Sequence, residues 1–582
     1  MRYKLLNPVE DWEYHNPIVK VMKNRGFTSE EEINHYLNVT ELDVLDPFLI
    51  NNIEEGVNIL IDCIVNEKNM FIVPDVDADG FTSAAILINY IYTYNKEYAL
   101  NHIRYSINPD KTHGIILESV PEDIYLAVYP DSASNDYEQH KILKEKGIKV
   151  LIIDHHEAEY VSSDACIINN QLCDYPTKSL SGAGMVYKFC QALDKKLGIN
   201  NANLFLDLAA VGMVGDMVSL KDFETHFLIE QGISHLRNPF ISKIREQNNY
   251  SIGDQLTPLG IAFYITPYIN ATIRIGSESE KQTLFEAMLD FKAYTEIKSN
   301  KRGTSDSLEP LVEQACRNCT NIKNKQARAR DASLKRIEEK IEETNLNNNK
   351  ILTVVMPEED LDKNLTGLIA NQLMAKYKKP VLLFRASVDS EGNTKYSGSA
   401  RGVGQSEFND LKSFCNDSGY FSLAQGHAQA FGIEIEPSNL EKFNDYSNQQ
   451  LQDTTFDSCY NVDFILQKDC PQDLVLDIST LKSLYGTGIE ESYIAIENIT
   501  VTKDNLTLMS PDKKPTLKIV LPSGCNLIRF KSSREEYESL LSTGCVKINV
   551  VGKCNRNVFY GKTTAQIIID SYEIVGEQSY YF

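Results

Sequence analysis

The sequence predicts a multidomain α/β protein that ends in a small β-barrel. Three observations carry this expectation. Apolar strand-like runs alternate with helical patterns over 53–153 and again over 351–435, the pattern of mainly parallel sheets flanked by helices. A polar, charged run with helical spacing over 305–345 separates the two. After Tyr485, short alternating strands replace the helical pattern. With 582 residues the chain exceeds a single hydrophobic core, so several domains are expected.

Taken in order, residues 1–50 read as a helical preface. Ser or Thr ahead of three glutamates in Thr28-Ser29-Glu30-Glu31-Glu32 is a helix start. The pattern then runs helix (56–66), strand (70–74), helix (82–94), strands at 102–107 and 124–129, helix (137–146) and strand (150–153). Residues 184–240 are helical and apolar. The run over 305–345 gathers Lys323, Lys325, Arg328, Arg330, Lys335, Arg336 and Lys340 on a connecting helix, as a binding stripe or as an ordinary solvated face. A second α/β unit follows: strand 351–355, helix 365–377, strand 380–384 and Gly-rich loops to 435. Residues 441–460 are polar and turn-rich, which predicts a linker. Six strands near 493–498, 505–509, 517–521, 527–530, 546–552 and 566–570 suggest a barrel, of which the oligonucleotide-binding type is one candidate.

Hydrophobic content of 42% and charged content of 24% are those of a globular protein. No apolar run is long enough for a signal peptide or a membrane span, so a soluble, cytoplasmic protein without membrane contact is expected. Among twelve cysteines the one close pair, Cys316 and Cys319, has no second pair to complete a zinc site, and free thiols are the expectation. A net charge of −23 argues against a protein that coats nucleic acid, but not against an enzyme with a local basic groove.

The chemistry concentrates at strand ends. Phe71-Ile72-Val73-Pro74 runs into Asp75, Asp77 and Asp79, and Gly80 opens a helix. Three carboxylates this close repel one another unless hydrogen bonds or a cation offset the charge. Alone, the turn is equally a metal site or a solvated loop. Two further apolar strands deliver Asp131 and Asp154-His155-His156, and Asp216 closes the run 207–215. Together these groups suffice for two divalent ions, and oxygen-rich ligands suit magnesium or manganese.

In order and approximate spacing, Asp75-Val76-Asp77-Ala78-Asp79-Gly80, Asp131, Asp154-His155-His156 and Asp216 resemble the four motifs of the DHH phosphoesterase superfamily. Further segments resemble its RecJ-like single-strand exonucleases. Asn24-Arg25-Gly26 with Asp46-Pro47 looks like the family's N-terminal segment, and Pro267 to Arg274 like its Pro-Arg-Ile-Asn-Ala-Ala-Gly-Arg. Ser397 to Arg401 and Gly426 to Gly432 are similar to two loops of the DHH-associated domain, and Tyr485-Gly486-Thr487-Gly488 precedes the barrel. The resemblance implies an N-terminal segment (1–50), a DHH catalytic domain with a parallel sheet (51–304), a connecting helix (305–345), a DHH-associated α/β domain (346–440), a linker (441–484) and a barrel like the oligonucleotide-binding fold (485–582).

It also implies roles. Asp77 would hold one metal and Asp79 with His155 the other; Asp131 would bridge, Asp216 complete a shell, and Asp75 ligate or stand behind a ligand. Asp154 would orient His155, and His156 would face the scissile phosphate. Lys111, Asn270, Arg274, Ser399, Arg401, Gly426 and His427 would contact the strand, Ser399 and Arg401 at its 5′-phosphate. Barrel candidates are Arg529, Lys531, Lys547, Lys553, Arg556 and Tyr560. The implied activity is metal-dependent 5′ to 3′ hydrolysis of single-stranded DNA to 5′-mononucleotides in repair or recombination. Nothing in the sequence tests for a 2′-hydroxyl, so RNA stays open as the polymer; a single-strand-binding protein or helicase is the expected partner and a monomer the expected state. The alternatives are a phosphodiesterase for short oligonucleotides or cyclic dinucleotides, and a non-catalytic single-strand-binding replication factor. Departures from the family pattern touch strand contacts: Ser132 stands where a Gly is usual, Tyr268 and Ile273 replace Arg and Gly, Gln425 replaces Gly, and 362–367 lacks a His. Every metal-ligand position keeps its residue.

Overall fold

The computed structural model describes residues 1–109, 112–301, 303, 307–388, 392–404, 406, 408–456, 459–542, 544–559 and 561–577. The chain divides into two compact units. Ser29–Lys325 with Lys482–Glu490 forms one, and Met1–Thr28, Gln326–Leu481 and Glu491–Phe582 form the other.

The first unit is built on a five-stranded sheet in the order Ile103–Tyr105, Met70–Ile72, Leu126–Pro130, Lys149–Asp154, Cys166–Asn169, every neighbouring pair parallel. The three central strands are almost wholly buried, which is why they read as unbroken apolar runs. Parallel register carries the acidic ends of Met70–Ile72, Leu126–Pro130 and Lys149–Asp154 to one edge of the sheet, where open α/β sheets place ligands. Helix Ala78–Tyr94 is buried along nearly its whole length against helices Gly182–Leu197 and Leu206–Gly215. An ion pair lies inside this unit. Lys188 Nζ stands 2.7 Å from Glu224 Oε1 with both side chains buried, Tyr175 Oη donates to the same carboxylate at 2.8 Å, and Lys188 also donates to the Leu45 carbonyl at 2.6 Å. The segment expected as part of a separate preface is thereby fastened to the sheet unit.

The second unit holds a mixed sheet in the order Phe421–His427, Ala430–Ile435, Thr394–Arg401, Val381–Val388, Leu352–Pro357, covered by helix Thr366–Tyr377. It also holds a seven-stranded sheet: Phe464–Gln467, Tyr493–Thr502, Cys545–Phe559, Lys562–Glu577, Asn526–Phe530, Thr516–Val520, Leu506–Met509. Bulges at Ile496/Ile499 and Val551/Gly552 bend its long strands, and Gly552 lets Ile568 cross closely, since a Cβ there would lie 2.5 Å from its carbonyl oxygen. A sheet of seven strands with such bulges is consistent with a C-terminal domain like the oligonucleotide-binding fold. Helix Leu311–Glu343 supplies the long connection expected over 305–345; the boundary at 304/305 lies outside the described residues.

Three expectations are corrected. The linker expected at 441–484 is folded, with helix Pro437–Gln450, strands Cys459–Val462 and Phe464–Gln467, and helix Gln472–Thr480. Polar composition hid a narrow apolar stripe, of which Leu474, Val475 and Ile478 are buried. The preface is not all helix. Strand Arg2–Leu5 pairs in parallel with Cys459–Val462, and Arg25 grips Asp463 through two hydrogen bonds of 2.9 and 3.1 Å, both side chains buried. The loop expected at 397–401 is strand, and that at 426–432 is the tip of a hairpin, two strand ends joined by a turn at 428–429. Among the described residues no helix is long and apolar enough to cross a membrane. Cys316 and Cys319 are buried free thiols.

Candidate metal centre

The acidic turn is shaped by its own side chains. Asp77 caps helix Ala78–Tyr94, its Oδ1 accepting the Gly80 N–H at 3.0 Å. Gly80 is required for space, because a Cβ would lie 2.5 Å from that of Asp75. Asp79 is buried and fully engaged: Oδ1 accepts from Ser181 Oγ at 2.7 Å and from the Ala183 N–H at 3.1 Å, and Oδ2 accepts the Gly182 N–H at 2.7 Å. These donors are the first groups of helix Gly182–Leu197, whose dipole favours a negative charge there. Asp75, also buried, takes His113 Nδ1 at 2.7 and 3.0 Å on its two oxygens. Asn270 Oδ1 accepts the Ala78 N–H at 3.1 Å and ties helix Thr266–Ile275 to the turn.

Asp131 and Ala133 both adopt left-handed backbone, at φ +71° and +77°. Ser132, which occupies the position usually held by Gly, is not one of them. The Asp131 N–H donates to the Ile153 carbonyl at 2.8 Å, joining two ligand-bearing strands. Gly182 stands against Asp131 so closely that a Cβ would lie 2.3 Å from its Oδ1, and at Gly212 a Cβ would lie 2.5 Å from Asp79 Oδ1. His155 Nε2 points into the carboxylates, 3.2 Å from Asp131, 3.7 Å from Asp216 and 3.9 Å from Asp79.

Electrostatics agree with the geometry. Burial, then repulsion from Asp79 and Asp77, pushes the Asp131 carboxyl well above the usual range. Asp216, at the end of helix Leu206–Gly215, is pushed up to about 8 by burial and the same two neighbours, and burial holds His155 low. Asp131 Oδ1 and His155 Nε2 are buried without a hydrogen-bond partner. Unpartnered buried ligand atoms among repelling carboxylates fit divalent cations, with oxygen donors and one imidazole matching magnesium or manganese. The donor atoms fall into overlapping groups, each within 4.8 Å: Asp75, Asp77 and Asp131; Asp79, His155 and Asp216; and Asp131, Asp154, His155 and His156.

The expected role of Asp154 changes. Its Oδ1 takes the ring of His156 through Nδ1 at 2.7 Å, and reaches His155 only through the backbone N–H at 2.8 Å. The backbone after strand Lys149–Asp154 turns so that the imidazole two residues on folds back over the carboxylate. Burial opposes ionisation of Asp154, but hydrogen bonds from His156 and Ser134 win and hold it below the usual range. That hydrogen bond raises His156 to about 9. Asn169 braces the pair, donating to the His156 carbonyl at 2.9 Å and to Ser134 Oγ at 3.0 Å.

The other anticipated residues separate into groups. Arg274 is exposed, one turn beyond Asn270 on the same helix. In the other unit, cross-strand register aligns Ser399, Gly432 and Gln425 in one row and Arg401, Ala430 and His427 in the row two further on, so these six share one sheet face while Gly426 lies in the row between. Ser399 Oγ lies 2.8 Å from Thr366 Oγ1 at the start of helix Thr366–Tyr377; Gly367 leaves room for the Arg401 guanidinium, 2.6 Å from where a Cβ would be. Gly426 adopts φ +134°, a conformation side chains resist. Lys111 and Tyr560 lie outside the described residues. Two barrel cations are already paired, Arg529 with Glu536 and Lys553 with Glu491, and on the connecting helix Arg336 pairs with Asp360 at 3.0 Å.

Sequence reasoning missed His113, Ser181 and Asn169. The first had a faint signal, one of only ten histidines placed just after an Asn-Pro pair; Ser181 and Asn169 had none.

The sequence profile described as "DHH family, N-terminal domain" matches residues 69–213. The chain is 36% identical over 580 residues to a Bacillus subtilis (strain 168) protein named "Putative SPbeta prophage-derived single-strand DNA-specific exonuclease YorK", covering 99% of this chain and 98% of that one. It is 22% identical over 567 residues to the single-stranded-DNA-specific exonuclease RecJ of the same strain, covering 95% and 67%. Among solved structures, RecJ from Thermus thermophilus in complex with Mn2+ superposes with a TM-score of 0.70 at 17% identity, over 99% of this chain and 80% of that one.

Proposed function

Because the chain belongs to the RecJ-like family of DHH phosphoesterases, we propose that it hydrolyses single-stranded DNA from the 5′ end, releases 5′-mononucleotides and uses two divalent cations, Mn2+ or Mg2+. The observation that carries this reading is that Asp131 Oδ1 and His155 Nε2, 3.2 Å apart, are buried without a hydrogen bond and enclosed by carboxylates. A purely structural cluster would have drawn protein donors onto those atoms.

On this reading Asp77, Asp79, Asp131, His155 and Asp216 would hold the ions, and Asp75 would ligate or stand behind a ligand. Bound divalent ions supply Lewis-acid activation of water and neutralise charge on the phosphate. The rest is the work of the chain. Ser181, Gly182 and Ala183 hold Asp79 by three hydrogen bonds, so its orientation is set before anything binds. Asp154 holds His156 by Nδ1, and the more than half-exposed ring offers Nε2 to the scissile phosphate, where it steadies charge that grows in the transition state. Asn270 keeps the acidic turn in place, Arg274 and Lys111 contact the strand, and Ser399, Arg401, Gly426 and His427 take its terminal phosphate and neighbouring backbone. The enzyme would act in the cytoplasm as a monomer in repair or recombination, with a helicase or single-strand-binding protein as a partner.

The test is a cleavage assay with Mn2+ and 5′-labelled single-stranded DNA, single-stranded RNA, duplex DNA, dinucleotides and cyclic dinucleotides. Labelled mononucleotide from single-stranded DNA is the expected product. Tight strand binding with no hydrolysis of any substrate would sink the reading. Asp131→Ala and His155→Ala are each expected to abolish cleavage in a protein with unchanged circular dichroism; activity at the level of the parent would refute the ligand assignment.

A further inference from the structure

Two histidines at the metal centre are held in the same way. His156 Nδ1 lies 2.7 Å from Oδ1 of Asp154, and His113 Nδ1 lies 2.7 Å from Oδ2 of Asp75. Each ring is more than half exposed, at 55% and 66%, while each carboxylate is buried. A carboxylate at Nδ1 fixes the orientation of an imidazole and leaves Nε2 as the nitrogen that meets whatever enters the site.

The described residues on either side of His113 are tied down by hydrogen bonds. Asn108, itself buried, donates through Nδ2 to the carbonyls of Thr112 at 3.0 Å and Gly114 at 2.9 Å. On the other side Asp136 accepts the Ile115 N–H at 2.7 Å. Gly114 is left-handed at φ +74° and packed so tightly on Asp136 that a Cβ would lie 2.2 Å from that carboxylate. Hydrogen bonds on both flanks and a buried carboxylate beneath the ring hold one exposed side chain. A surface histidine with no task would need none of them, and a packing histidine would not be exposed. Both oxygens of Asp75 face His113 Nδ1, at 2.7 and 3.0 Å, so the carboxylate is directed at the ring.

Resting on the exonuclease reading above, we propose that His113 is a second substrate-contacting imidazole, oriented by Asp75 as His156 is by Asp154, whose Nε2–H donates to a phosphate oxygen of the bound strand. Asp75 is then a positioning residue that acts through His113, and the two imidazoles address the strand from separate segments of the chain.

Two measurements test this. The first is steady-state cleavage of a 5′-phosphorylated oligothymidylate with Mn2+. The second is equilibrium binding of the same DNA in EDTA at low salt, followed by fluorescence anisotropy. In His113→Ala the KM is expected to rise and the metal-free affinity to fall, each by roughly tenfold, the scale of one charge-assisted hydrogen bond, with kcat changed less. Asp75→Asn is expected to weaken DNA binding to the same extent, the double variant to be no weaker than either single one, and Mn2+ affinity by calorimetry without DNA to stay at the parent level. Unchanged KM and affinity in His113→Ala would overturn the contact. A fall in Mn2+ affinity in Asp75→Asn would give Asp75 to the metal and overturn its positioning role. If the unaltered protein cleaves no single-stranded DNA, the exonuclease reading fails, and the metal-free binding comparison still decides on His113.

Discussion

At the scale of single residues, the metal centre is defined as much by missing side chains as by carboxylates. Gly80, Gly182 and Gly212 each stand where a Cβ would strike Asp75, Asp131 or Asp79. The consequence is testable at Gly182. In Gly182→Ala the new methyl would begin 2.3 Å from Asp131, inside a wall that cannot retreat. Cleavage should fall by on the order of a hundredfold, as a displacement of about 1 Å at a reacting centre costs, and denaturant titration should show a loss of about 1–3 kcal/mol. Full activity would mean that Asp131 tolerates displacement. The carboxylates themselves were legible because acids that close apolar strands leave a plain mark in one dimension. The glycines' role was not, because each meets a residue distant in sequence. His113 was hidden for the same reason, its partner Asp75 lying on another strand's end. The allocation of Asp154 to His156 rests on a backbone turn that residue identities do not encode.

At the scale of elements, the apolar strands near 70–74, 124–129, 150–153, 351–355 and 380–384 and the helices beside them were legible from periodicity, whereas strand Cys166–Asn169 and the three strands over 394–435 were not. The exceptions share one cause, dependence on contacts made far along the chain. Strand Arg2–Leu5 has no local amphipathic signal and exists because Cys459–Val462 pairs with it. Ser397–Arg401 read as a loop because small residues weaken strand propensity, yet ladders on both sides hold it extended. Helices Gly182–Leu197 and Phe223–Ser234 are coupled by the Lys188–Glu224 pair. Burial lowers the Lys188 ammonium, while Glu224 and the Leu45 carbonyl keep it satisfied. Lys188→Met leaves the Glu224 charge buried without its cation and should destabilise the protein by about 3–5 kcal/mol in urea unfolding, far more than an exposed pair such as Lys196–Glu54. Equal effects at the two sites would refute the assigned role.

At the scale of the whole molecule, a net charge of −23 is compatible with a polyanionic substrate because part of the acidic excess is gathered at one site. Without cations those carboxylates repel, and a ligand that binds only the folded chain stabilises it by about 2.7 kcal/mol at a hundredfold excess over its dissociation constant. Saturating Mn2+ should therefore raise the melting temperature of chelator-treated protein by several degrees. Asp131→Ala should respond little to Mn2+. An equal response in both proteins would place the ion elsewhere.

The parallel pairing of Arg2–Leu5 with Cys459–Val462, and the grip of Arg25 on Asp463, bear on how the protein is made. A ribosome releases residues 2–25 long before their partners exist. The sheet unit that gathers the carboxylates can close once residue 325 has emerged, lacking only the strap Lys482–Glu490. The leading segment meanwhile stays unpaired until the chain has passed Asp463. Synthesis thus delivers the metal-binding sheet before residues 2–25 can meet their partners.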